Sequence, residues 1–316
     1  MRGSYEKKRH PLKKLLLIIG GIVGLLFAAL LIFICIKAMS LSGAIHHPLD
    51  RDKSSLRDNK VDINKSQPIS IALFGVDSNT TRDAQGAGER SDSIMILSIN
   101  PQTKTTEMIS IPRDTQAEIV GNNTTEKINH AYAYGGPKMA IESVEKLMNV
   151  PIDHYASVDM DGLKETIDAL DGVDVVSNAT FNVKGTQFNQ GEKVHLNGEE
   201  AMNFIRSRKE DGSGGDFGRQ QRQQIVLQGL ASKLTDVKSI TRLNTIIEQL
   251  EKNVETDLTL GQLNTIIKNY KHADETVNKH QLEGSGSVQD DGVYYFVPVE
   301  NQKSELTRAY RENLNI

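Results

Sequence analysis

The chain has 316 residues, one cysteine and a formal charge of −4 from 37 Lys/Arg against 41 Asp/Glu. That length holds one core domain with accessories, or two small domains. Residues 1–37 carry seven Lys/Arg and one Glu, leaving 30 against 40, or about −10, for the remainder. So acidic a body lacks the basic face that general nucleic-acid binding requires. Cys35 lies in an apolar run, which excludes a disulfide framework, a cysteine zinc site and a thiol nucleophile elsewhere.

In chain order, the first element is the uncharged run from Leu15 to Ile36. At 1.5 Å per residue its helix spans about 33 Å, enough for a hydrocarbon core of about 30 Å. Arg2, Lys7, Lys8, Arg9, Lys13 and Lys14 precede it, so residues 1–14 are placed in the cytoplasm and the rest of the chain outside. The expected localisation is a single-pass, type II protein of the cell membrane. Residues 37–67 are polar without periodicity and read as an extracellular spacer, and a folded domain is expected over 68–316.

Within that domain, 69–76, 93–99 and 105–111 read as strands. The pattern then predicts helix 137–149, strand 152–158, helix 160–170 and strand 173–176. Helices follow over 198–206, with Asn197 as N-cap, and over 217–235, 239–252, 259–271 and 300–313, with a strand over 292–299. Alternation of strands and helices implies an α/β sandwich with a partly parallel sheet.

Arginine placement is the sharpest chemical signal. None occurs between Asp114 and Ile205; then Arg206, Arg208, Arg219 and Arg222 fall close together, in a chain that scatters lysine over its length. Guanidinium forks match phosphate oxygens bidentately, whereas lysine supplies a point charge. On a helix from Phe217, Arg219, Arg222 and Gln223 share a face. Pairing with Glu210, Asp211 and Asp216 is the competing explanation. Acidic residues at strand ends form the second signal. If 69–76 and 93–99 pair antiparallel, Asp77 and Asp92 meet at one sheet edge, where two carboxylates suit Mg²⁺. Antiparallel pairing of 105–111 brings Arg113 and Asp114 to the same edge. A lone strand-end Asp is more often a turn residue. No Ser-His-Asp triad or HExxH zinc motif is visible, and His130 is as well explained by structure as by catalysis.

Together, ALFGVDSN (72–79), RSDSIMILSINPQTKTTEMISIPRDT (90–115), KINHAYAYGGP (127–137), GEEAMNFIRSR (198–208) and DFGRQQRQQ (216–224) resemble the LytR–CpsA–Psr family, in its order, over about 68–235. The anchor and the extension 236–316 look like those of its teichoic-acid transferases. The resemblance implies an α/β/α sandwich with a central mixed sheet enclosing a polyprenyl-binding tunnel. It implies Mg²⁺ on Asp77 and Asp92, with Arg90, Arg113, Arg206, Arg208, Arg219 and Gln223 around a pyrophosphate. The implied activity moves a polymer, teichoic acid above all, from an undecaprenyl-pyrophosphate-linked wall polymer onto peptidoglycan, with Asp92 and Arg113 as catalytic residues. Two departures stand out: the long acidic loop 78–89 and the Gly212–Gly215 insertion. The competing functions are a lipid-pyrophosphate hydrolase and a non-catalytic lipid-binding regulator.

Overall fold

A computed structural model of the chain describes residues 43–77, 89–160, 162–235 and 243–316. The predicted span 15–36 and most of the acidic loop 78–89 lie outside the described residues. No helix among those described is long and apolar enough to cross a membrane.

Strands β1 (Ile69–Asp77), β2 (Arg90–Asn100) and β3 (Thr105–Ile111) open the domain, followed by a small hairpin of β4 (Gln116–Ile119) and β5 (Thr124–Lys127). Helix α1 (His130–Met148) leads to β6 (His154–Asp159), α2 (Leu163–Ala169) and β7 (Val173–Val176). Hairpin β8 (Phe181–Val183) and β9 (Thr186–Phe188) precedes β10 (Lys193–Leu196), α3 (Gly198–Arg206) and α4 (Gly215–Thr235). Helix α5 (Leu243–Asn253), β11 (Val254–Thr256), α6 (Leu260–Asn269), β12 (Thr276–Gln281), β13 (Gly284–Val288), β14 (Tyr294–Pro298) and α7 (Glu300–Asn313) complete it.

The central sheet is mixed, in the order β11-β6-β1-β2-β3-β12. β1, β2 and β3 form an antiparallel meander, while β6 and β12 join in parallel. Ile94, Met95 and Ile96 are all buried in succession, as in a strand covered on both faces. On one face Ala72, Phe74, Ile94, Ile96, Ile109 and Ile111 pack with residues of α1 and α7. On the other, α2, α3 and α4 gather around Phe181, Phe188 and Phe204, whose rings lie 4.9–5.9 Å apart. The α/β class expected from the sequence is the one observed.

Several boundaries differ from the sequence reading. α1 begins at His130, seven residues before Pro137, and kinks at Gly135 and Gly136, where Gly136 takes φ +60°. The kink lies immediately before Pro137, whose ring cannot continue an unbroken hydrogen-bond ladder. Asn197 caps α3 as expected, accepting from the Glu200 backbone while the Glu200 side chain returns to Asn197. The described part of the extension, 243–316, is integral to the domain: it supplies β11 and β12, both edges of the central sheet. Its last helix seats Tyr310 against Ser70 at 2.6 Å and Asn313 against Ser98.

The described part of the expected spacer also packs on the domain. Ile45 and Ile63 are buried. Arg57 grips Asp153 with two hydrogen bonds of 2.7 and 3.1 Å, and Asp153 in turn accepts from the backbone of Ser70. Both side chains of that pair are less than a tenth exposed. Arg57→Ala leaves the carboxylate buried without its cation, so we expect a loss of about 3 kcal/mol. A urea titration of the full chain in detergent reads it; an unchanged midpoint excludes a clamping role.

Candidate active site

β1 and β2 pair from Ile69↔Ile99 down to Asp77↔Arg90, with a register shift between Gly75 and Val76. Gly75 faces Ser93 and Val76 faces Ser91, so Asp92 is the extra residue of a β-bulge. Bulges re-aim a side chain at the end of a ladder. Here Asp92 meets Arg113 at 3.0 Å. The β2–β3 register, Ile94↔Ile111, carries Arg113 opposite Asp92 once extended by two residues. The antiparallel geometry read from sequence is thereby confirmed. Asp77 ends β1 beside Arg90 in the backbone register; its side chain lies outside the described residues.

Arg113 also approaches Asp114 at 3.6 Å, and Asp114 is held at 2.7 Å by Lys127. The β13–β14 hairpin closes over this point: the Phe296 backbone donates to the Asp114 carbonyl at 2.9 Å. The result is a cleft of about 600 Å³ lined by Arg113, Asp114, Arg208, Arg219, Phe217 and Tyr294, among others. Three arginines from three separate segments thus face one space.

The other expected site residues are placed differently. Arg206 is exposed at the end of α3 and is not among the residues lining that cleft. Arg90 is half-buried, with its Nε enclosed and lacking a hydrogen-bond partner. Gln223 lines a separate apolar cavity with Leu73, Val158, Leu163, Ile205 and Val226. That cavity lies between the sheet and α2–α4 and measures about 30 Å³, room for a water or two and not for a lipid chain. Among the described residues, this cavity does not widen into the implied tunnel.

Arg222 is corrected outright. It stands only about 60° from Arg219 around the helix, yet packing turns it into the core while Arg219 lines the cleft. Arg222 is fully buried. It donates to the carbonyls of Ser213 (2.8 Å) and Ser207, and its Cζ lies 4.8 Å from the Phe181 ring centroid. Burial pushes its guanidinium down to about 10, opposed by Glu210 and assisted by Arg219, so it stays charged at neutral pH. Gly218 makes this seat possible: a Cβ there would lie 2.1 Å from the Ser213 carbonyl. The Ser207–Ser213 loop, which contains Arg208, is therefore tied down from below.

His130 makes the structural hydrogen bond that the sequence allowed for it. Glu126 accepts from Tyr134 and is bonded to His130 Nδ1, both at 2.8 Å. The His130 hydrogen bond holds its carboxyl below the usual range, against a smaller effect of burial. The i, i+4 spacing of Glu126 and His130 was the available signal. Among the described residues, no group of three or more His, Cys, Asp or Glu gathers as a metal cluster.

The chain is thus a mixed-sheet α/β domain with an arginine-lined cleft at the end of its central strands. The chain belongs to the LytR_cpsA_psr family, whose sequence model matches residues 32–312. It is 38% identical over 315 residues, all of both chains, to the polyisoprenyl-teichoic acid–peptidoglycan teichoic acid transferase TagU of Bacillus licheniformis. It also resembles a solved structure from Enterococcus faecalis described as a transcriptional regulator, at 35% identity and TM-score 0.69, over 81% of this chain and 91% of that one. TagT bound to LIIa-WTA is similar at 26% identity and TM-score 0.68, covering 86% of this chain and 100% of that one.

Proposed function

We propose that the chain is a phosphotransferase that carries teichoic acid from an undecaprenyl-pyrophosphate-linked precursor to peptidoglycan. The observation that carries this reading is the convergence of Arg113, Arg208 and Arg219 on one cleft beside Asp92 and Asp114. Guanidinium groups fixed in place before reaction stabilise charge as it develops on a transferring phosphoryl group. A peptidoglycan hydroxyl oxygen attacks the phosphorus that bears the polymer, and the bond from that phosphorus to the bridging oxygen breaks. Polyprenyl phosphate leaves with the bond's electron pair, a phosphodiester forms, and the hydroxyl proton passes to a carboxylate. Those at hand are Asp92 and Asp114.

Asp92 and Asp77 are the pair we assign to Mg²⁺. They are hard oxygen donors at adjoining strand ends, and Mg²⁺ takes one or two carboxylates together with substrate phosphates and water. When bound, the ion neutralises charge on the pyrophosphate. Asp92 additionally holds the Arg113 fork toward the cleft. Asp92→Asn is expected to weaken Mg²⁺ binding by about tenfold or more, read by calorimetry with inorganic pyrophosphate present. Unaltered Mg²⁺ affinity removes Asp92 from the metal site.

The narrow apolar cavity under α4 is the place we assign to the prenyl chain, widening as the helix shifts. Residues 15–36, flanked by basic residues on the N-terminal side, keep the domain at the outer membrane face where such a donor resides. The test supplies full-length protein with a lipid-linked donor and peptidoglycan. A covalent conjugate is expected; release of free polymer alone assigns hydrolysis instead.

A further inference from the structure

Phe217 stands in the first turn of α4 and is 50% exposed. A single exposed apolar residue needs no explanation, but this one sits where two spaces meet. It lines the arginine cleft and also an adjoining pocket of about 160 Å³. Gln281, from edge strand β12, lines both as well. The second pocket is lined by Asn178, Gln221, Gln224, Lys279 and His280; the Asn178 amide donates to Gln221 at 2.9 Å and the buried Gln224 donates to Ser110, which leaves the Gln221 amide nitrogen and the two basic side chains facing it. Gln281 donates to Gln220, yet its Oε1 is enclosed without a hydrogen-bond partner. Across the main cleft, Tyr294 presents a second ring, 46% exposed.

Amide side chains both donate and accept, as do the hydroxyls of a sugar. An aromatic face carries negative charge density and attracts the positive C–H edges of a flat-lying ring. Aromatic surface bordered by polar side chains beside an arginine-lined cleft therefore matches a sugar attached to, or attacking, a phosphate. We propose that the groove around Phe217 binds a pyranose ring of the reacting polysaccharide, stacked on Phe217 and hydrogen-bonded at its rim by Gln221, Lys279 and His280. This rests on the transferase reading, and the ring belongs either to the peptidoglycan acceptor or to the sugar next to the donor phosphate.

The full chain in detergent micelles is tested with two phosphate-free disaccharides, one from peptidoglycan and one from the polymer's linkage end. Calorimetry measures their binding to wild type, Phe217→Ala and Phe217→Tyr. Loss of one stacking contact is expected to weaken binding about tenfold in Phe217→Ala, with Phe217→Tyr within about twofold of wild type. In transfer assays the KM for the matching substrate rises by a similar factor while kcat stays within about threefold. A raised acceptor KM assigns the ring to peptidoglycan, and a raised donor KM assigns it to the polymer. Equal binding and equal KM values in Phe217→Ala and wild type overturn the proposal. If wild type binds a disaccharide through Phe217 yet performs no transfer, the transferase reading fails and the sugar site stands.

Discussion

Arg113→Ala is expected to reduce polymer transfer by about two to three orders of magnitude, the usual effect of removing one preorganised charge-stabilising donor. Arg113 is the residue on which the site's geometry turns. It contacts Asp92 from the β2 bulge, lies beside Asp114, and lines the cleft with Arg208 and Arg219. Its side chain is 31% exposed, so its removal opens no core cavity and the melting temperature is expected to hold. Arg113→Lys separates charge from shape: it keeps the cation and loses the two-pronged fork, so recovery should be partial. The measurement is conjugate formation from a lipid-linked donor under single-turnover conditions. Full transfer by a folded Arg113→Ala protein removes the cleft from the chemistry.

The largest effect on stability is expected at Arg222. Its guanidinium satisfies the carbonyls of Ser207 and Ser213 and rests on Phe181 and Phe204 inside the second core. Alanine there deletes a fully buried side chain and strands those carbonyls away from water. Each stranded acceptor costs about 1–3 kcal/mol, and with the lost packing we expect a total of about 3–5 kcal/mol. For a domain of this size that lowers the melting temperature by roughly 6–20 °C. Since the same carbonyls tether the loop bearing Arg208, transfer should fall in parallel with folding. Arg222→Ala melting within a degree or two of wild type, with transfer abolished, would return this arginine to the substrate.

The contrast between Arg219 and Arg222 shows where the sequence stopped being informative. Both appeared as members of one cationic face, because a helical wheel records angle and not what stands opposite. Only packing decides that one position meets the Phe181–Phe204 rings and the other the cleft. Asp92 shows the reverse. Its place at the sheet edge followed from strand length and antiparallel pairing, which local alternation makes legible. The bulge that turns it toward Arg113 did not, since nothing in the pattern of Ser91, Asp92 and Ser93 marks an extra residue.

Missed elements share a cause. Strand β12, Thr276–Gln281, carries mostly polar residues because it is an edge strand with one flank toward solvent. Its partner β3 lies about 170 residues away in the chain, so no local periodicity announces the pairing. The segment between Ile45 and Gln67 looked like a polar spacer for a related reason. Its anchors are ion pairs, Arg57 with Asp153 and Arg51 with Glu145, whose charged residues read as solvated until their partners are known.

By itself, the sequence determined the α/β class, the positions of the central strands, the α3 cap and the family motifs, because each rests on spacing between near neighbours. Tertiary structure alone decided which arginines face the cleft, how the last eighty residues close both sheet edges, and where Phe217 stands between two pockets. Those outcomes depend on contacts between residues distant in the chain, whose energies are set by burial and partner, quantities no linear pattern contains.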